Sequence, residues 1–169
     1  FKKFCLKTTM RKIRRSKKRG PVVSKKVTYD GIKFASGLEK YMYIALKQNG
    51  IKADYEKRTF VLIPGFYFNS ESYERTANAK GEFKNRGLKS IQPIKYTPDF
   101  EGEGFIIECK GRANETFSMR WKLFKKLITE QIPGIVLYKP QNQKECDKTA
   151  KLILESQKQL QDKNIKKDK

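Results

Sequence analysis

The chain contains no histidine. That absence removes Ser-His-Asp and Cys-His triads, His-ligated zinc hydrolases and every nuclease that relies on a histidine general base. Cysteine is scarce: Cys5, Cys109 and Cys146 are odd in number, far apart and form no C-x-x-C pair. A disulfide framework and a cysteine zinc site are therefore not expected, and a reducing compartment is. No apolar run approaches the ~20 residues of a membrane-spanning helix. The longest, from Thr59 to Phe68, is broken by Pro64 and Gly65. No P-loop spacing occurs, so no nucleotide cofactor is expected. Acids are in short supply, 18 against 39 Lys and Arg, leaving a net charge of +21 over 169 residues. Such charge repels itself in a free monomer and calls for a polyanionic partner, nucleic acid before anionic membrane. Any chemistry must come from carboxylates, lysine, tyrosine and a metal.

What is present centres on residues 96–112, which read as two short strands around a turn. With Gly102 and Glu103 as the central turn residues, Phe100 pairs with Phe105, Pro98 with Ile107 and Thr97 with Glu108. Alternation then puts Pro98, Phe100, Phe105, Ile107 and Cys109 on a core face. The other face collects Thr97, Asp99, Ile106, Glu108 and Lys110. In this register Asp99 and Glu108 are diagonal neighbours, roughly 7–8 Å apart at Cα. Two carboxylates so placed can converge on one hard cation, and Lys110 lies within reach of a water there. The bland alternative is a hairpin with a solvated polar face.

Residues 1–29 hold no acid, and twelve Lys or Arg occur up to Lys26. Residues 1–26 read as a disordered basic arm whose Arg11, Lys12, Arg14, Arg15, Lys17, Lys18 and Arg19 track phosphates; a solubilising tail or a targeting segment is the alternative. Asp30-Gly31 makes a turn between short strands. Ser36 then opens a helix as N-cap, with Glu39 three residues on completing a capping box. Leu38, Tyr41, Met42, Ala45 and Leu46 form its apolar stripe. Glu39 is thus explained by capping alone, although one carboxylate can cap and also serve a metal. Ile51 to Phe68 is strand-rich, and 69–90 reads as a polar insertion or mobile loop. A helix over 116–131 buries Phe117, Trp121, Phe124, Leu127 and Ile128 and offers Arg120, Lys122, Lys125 and Lys126 to nucleic acid, as does Arg112 before it. Ile135 to Tyr138 suits a strand covered on both faces and parallel to the 105–110 strand. A last helix, from about 145 to 161, precedes a lysine-rich tail. Residues 27–140 therefore form the core, and 141–169 a C-terminal helix and tail.

Pro98-Asp99 followed by Glu108-Cys109-Lys110 resembles the PD-(D/E)XK signature of restriction-type nucleases, and the helix-strand-strand-strand-helix-strand order resembles their core. The stretches 29–39, 96–100 and 107–111 are similar to the phage endonuclease I family, which cleaves branched DNA and four-way junctions, and to an uncharacterised phage family with the same core. The resemblance covers roughly residues 27–140; the 69–90 insertion and the final helix depart from it. It implies an α/β restriction-endonuclease-like fold, a mixed sheet flanked by helices. It also implies Mg²⁺, or Mn²⁺, held by Asp99, Glu108, the Cys109 backbone carbonyl and Glu39. Lys110 would orient or help deprotonate the attacking water. Catalysis would be in-line phosphodiester hydrolysis of DNA, branched or four-way, by a homodimer in the host cytoplasm or nucleoid if phage-encoded. Two other readings fit the charge: an inactive nucleic-acid-binding protein on a nuclease fold, and a basic RNA-binding protein. Four matched positions favour the enzyme, since a retired site has no need of close acids in a basic protein.

Overall fold

A computed structural model describes residues 25–75, 81–111 and 113–167, the side chains of 160–167 excepted. Residues 1–24 of the N-terminal arm, with its seven candidate phosphate contacts, and Arg112 lie outside the described residues. The chain opens with β1 (Val27–Tyr29), β2 (Ile32–Phe34), α1 (Gly37–Gln48) and β3 (Ala53–Tyr55). Six short strands follow: β4 (Phe60–Ile63), β5 (Phe66–Phe68), β6 (Tyr73–Glu74), β7 (Lys84–Asn85), β8 (Lys89–Ile91) and β9 (Ile94–Tyr96). Then come β10 (Phe100–Gly102), β11 (Phe105–Ile107), α2 (Glu115–Gln131), β12 (Val136–Tyr138) and α3 (Gln143–Lys167). The protein is mixed α/β, with several small sheets and, among the described residues, three helices. None of those helices is long and apolar enough to cross a membrane.

The central sheet has the order β12-β11-β10-β3. β10 runs antiparallel to β3 and β11, and β11 runs parallel to β12, as the crossover through α2 requires. Each face of this sheet has its own core. On one, Phe100, Phe105, Ile107 and Cys109 pack with Met42 and Leu46 of α1 and with Cys146, Ala150 and Ile153 of α3. On the other, Ile106 meets Phe117, Trp121, Phe124, Leu127 and Ile128 of α2, together with Phe60 and Tyr96. The 3.6-residue spacing of the α2 apolar residues makes that stripe, and Asn114 caps the helix by accepting the Phe117 N–H at 2.8 Å.

Three sequence expectations are corrected. The β10–β11 register is shifted by two: Phe100 faces Ile107 and Gly102 faces Phe105, so the turn is Glu103-Gly104. Gly104 takes the positive φ (78°), whereas the Phe105 ring covers Gly102. A shift of two preserves the faces, so the side assignments survive it. A Cβ at position 102 would stand 2.2 Å from that ring and 2.9 Å from the Lys52 carbonyl oxygen. Because Phe105 is itself buried, Gly102→Ala is expected to destabilise the fold by about 1–3 kcal/mol in urea titration. Second, β12 is an edge strand with Val136 42% exposed. The strand covered on both faces is β11, whose three residues are all buried. Third, residues 69–90 are not a structureless loop throughout. β4 pairs with β9, β5 with β8 and β6 with β7, all antiparallel and in nested order, so the described residues of 60–75 and 81–96 make a two-stranded ribbon.

Candidate active site

At one end of the central sheet β10 and β11 part. Their ladder ends at the Phe100–Ile107 pair. Beyond it the Asp99 carbonyl accepts the Glu56 N–H (2.9 Å), which keeps that strand on the β3 side. Glu108 and Lys110 instead donate their N–H groups to the carbonyls of Tyr138 (2.9 Å) and Pro140 (3.0 Å), following β12. The Asp99 side chain spans the gap, its Oδ2 accepting the Cys109 N–H at 2.6 Å. The corrected register makes Asp99 and Glu108 facing positions at the mouth of this fork rather than diagonal ones.

Glu39 comes to the same place from α1. Ser36 Oγ accepts the Glu39 N–H (3.2 Å), and Glu39 Oε2 in turn accepts from the Ala35 N–H (2.8 Å) and the Tyr55 hydroxyl (2.7 Å). The Ser36 half of the expected capping box forms, but the Glu39 carboxylate reaches past the Ser36 N–H to that of Ala35 and uses one oxygen only; Oε1 has no hydrogen-bond partner among the described residues. Tyr55 belongs to β3, so this carboxylate ties the start of α1 to the sheet. Glu39, Asp99, Glu108 and Lys110 all line one cleft of about 450 Å³, with Tyr96, Thr97 and Phe117. Lys110 Nζ lies 3.9 Å from Glu108 Oε1 and 4.7 Å over the Phe117 ring, and its side chain is 36% exposed.

Three acids gathered in one cleft disturb one another. Burial, then Glu108, then Glu39 push the Asp99 carboxyl from an ordinary 3.8 up to about 8, against the Cys109 N–H and Lys110. Glu108 is raised as well, by burial first, although Tyr96, Lys110 and Lys139 oppose the shift. The Tyr96 hydroxyl is buried beside Glu108 and raised by burial, yet it closes no hydrogen bond of normal geometry among the described residues. The Cys109 thiol turns inward against Cys146, and that contact together with burial raises it, so it is no nucleophile.

Both folded carboxyl values exceed their unfolded ones, so between pH ~4 and ~8 the folded state holds more protons than the unfolded state. The stability these groups contribute is greatest below pH ~4 and is lost as pH rises through about 8. Urea midpoints of the metal-free protein should therefore decline from pH 5 to 8.5, and those of Asp99→Asn should decline less. Parallel curves would show that the acids do not strain the cleft.

Oxygen donors of this kind suit a hard divalent cation. Among the described residues no three acidic or cysteine side chains enclose an ion by themselves. An ion such as Mg²⁺ does not need that: it keeps several waters and is usually held by one or two carboxylates plus phosphate oxygens. The raised, mutually repelling carboxyls and the unengaged Glu39 oxygen fit such a group; were one bound, Asp99, Glu108 and the Cys109 carbonyl would hold it, with Glu39 beside them.

Of the basic residues expected to meet nucleic acid, Arg120 lines the cleft. Lys122, Lys125 and Lys126 are exposed elsewhere on α2; Lys125 lies 5.8 Å over Trp121 and Lys126 pairs with Glu130. Sequence reasoning missed Lys95, Tyr96, Tyr55 and Lys139. Lys95 and Tyr96 stand just before Thr97-Pro98-Asp99, and Lys139 follows the strand parallel to β11. Proximity to the end of a parallel pair was the available signal.

A family described as "Protein of unknown function (DUF1064)" matches residues 16–139. The chain belongs to the DUF1064 family. Comparison with curated proteins and with solved structures returns no match. The DUF1064 region includes all four cleft residues and the whole β4–β9 ribbon, and it stops before α3.

Proposed function

We propose that this DUF1064 protein is a divalent-metal-dependent DNA endonuclease with a restriction-endonuclease-like core. One observation carries the reading: Glu39, Asp99, Glu108 and Lys110, spread over 72 residues of sequence, line a single cleft in a protein of net charge +21. The α-β-β-β-α-β order around the central sheet supports it, as does the fork that separates Asp99 from Glu108. The resemblance to junction-resolving enzymes makes branched or four-way DNA the proposed substrate and a homodimer the proposed assembly.

In the reaction a water attacks phosphorus opposite the leaving oxygen, the P–O bond to that oxygen breaks, and the leaving oxygen takes up a proton. A bound Mg²⁺ or Mn²⁺ would supply Lewis-acid polarisation of the phosphoryl group and a lowered pKa for the attacking water. Asp99 and Glu108 hold their carboxylates at the fork mouth because the backbone of each is pinned to a different neighbouring strand. Lys110 presents a part-exposed ammonium beside Glu108, where it can hydrogen-bond a phosphate oxygen or orient the water. Arg120 and Lys95 add positive charge at the cleft wall for the flanking phosphates.

The test is nicking of supercoiled plasmid and of a synthetic four-way junction, with Mg²⁺ or with chelator. Cleavage in Mg²⁺ alone is expected. No cleavage with any divalent metal, while DNA is still bound, would leave the inactive binding protein as the better reading.

A further inference from the structure

The outer half of the ribbon has no part in the proposed hydrolysis, and no other element packs closely against it among the described residues. It nevertheless carries four exposed rings: Phe66 (52%), Tyr67 (62%), Tyr73 (56%) and Phe83 (59%). Four exposed rings on a ribbon that no other described element packs closely against suit a contact site better than a solvated connection.

The backbone beneath these rings is ordered by specific bonds. Asn85 Oδ1 accepts both the Ser72 N–H (3.1 Å) and the Gly87 N–H (2.9 Å), while the Arg86 N–H donates to the Ser72 carbonyl (2.7 Å). Gly87 is required there, because a Cβ would stand 2.0 Å from the Ser70 carbonyl oxygen. Phe66 and Tyr67 are successive on β5 and so take opposite faces of the ribbon. The Tyr73 and Phe83 rings sit 6.1 Å apart further out. Rings held in advance on a braced scaffold bind with little ordering cost.

Two kinds of occupant could cover such rings, a second copy of the chain or a nucleic acid. The whole chain's basic charge favours a polyanion, and the homodimer proposed above need not use this surface. Rings with interspersed lysines are the chemistry that seats unpaired bases, since every base has a π-face to stack. The ribbon also leads into the cleft, because Lys95 and Tyr96 at its base line it. We propose that the outer ribbon is a binding site for single-stranded DNA, seating unpaired nucleotides of the same substrate whose phosphodiester lies in the cleft. This rests on the nuclease reading. Between residues 66 and 91 the described residues include four Lys or Arg against three Glu, so the site's own contribution is stacking, with little salt dependence.

The experiment is fluorescence anisotropy of the full chain in chelator, with a 20-nucleotide oligo(dT), its RNA counterpart and a 20-base-pair duplex. For Tyr67→Ala/Phe83→Ala, the dissociation constant for oligo(dT) should rise about 10–100-fold, and that for duplex by less than about twofold, with the salt slope on both unchanged. Tyr67→Trp/Phe83→Trp should restore single-strand binding, which separates lost stacking from lost folding. Equal losses on single strand and duplex, no loss at all, tighter binding of the RNA, or a monomer-for-dimer change in sedimentation velocity would each overturn the proposal. Wild-type nicking in Mg²⁺ is scored separately. Absent nicking with ring-dependent oligo(dT) binding would sink the hydrolysis and leave the ribbon site standing.

Discussion

Asp99→Asn is expected to lower nicking by at least ~10³-fold while DNA binding stays the same or tightens. Asn keeps the shape of the side chain, and its amide oxygen can still accept the Cys109 N–H that Asp99 accepts at 2.6 Å. What is lost is the negative charge at the fork mouth. Burial and two neighbouring carboxyls oppose that charge in the metal-free protein, so removing it should raise stability there by about 1 kcal/mol. The variant should thus be more stable and inactive together, as when an acid is kept for function against the preference of the fold. Denaturation in chelator and in ~10 mM Mg²⁺ checks this, with the metal stabilising wild type through mass action and the variant much less. Retention of a tenth or more of the nicking activity would remove Asp99 from the proposed machinery.

Lys110→Ala should reduce nicking by about 10²–10³-fold, the range for losing one positioned group that acts on developing charge or on a proton. Here the loss has a different companion. Glu108 is left without the ammonium 3.9 Å from its Oε1, so its carboxylate is less well neutralised and the thermal shift produced by Mg²⁺ should persist or grow. The pair of variants therefore separates two roles in one cleft: Asp99→Asn removes the response to metal along with activity, and Lys110→Ala removes activity alone. A Lys110→Ala protein that nicks at the wild-type rate would reduce Lys110 to a counter-ion for Glu108.

The grouping of the candidate residues was legible in sequence for two of the three segments that bring them to the cleft. Asp99 and Glu108-Cys109-Lys110 lie on one hairpin, where strand alternation is enough to put their side chains on known faces. The register was misassigned by two because both glycines looked like turn residues. Only packing decided between them, with the Phe105 ring occupying the space a Gly102 side chain would need. Glu39 was harder. Its capping role followed from Ser36 three residues earlier, but its approach to Asp99 depends on how α1 crosses the sheet, and Tyr55 from β3 holds it there. The outer part of the ribbon, 69–90, reads as an insertion or loop because its strands are only two or three residues long and mostly polar. Its pairing is a property of two segments read together.

Composition and local pattern alone determined that this chain carries a large excess of positive charge, has no histidine chemistry, and places acids at a hairpin and at a helix start. Those conclusions need only charge counts, alternation and capping, which act over a few residues. Tertiary structure decided that β10 and β11 diverge at Asp99, that a helix brings a third carboxylate to the opening, and that four rings stand on a braced arm beyond it. Each of these depends on contacts between segments distant along the chain, where the energy of packing, not the preference of any residue, selects the arrangement.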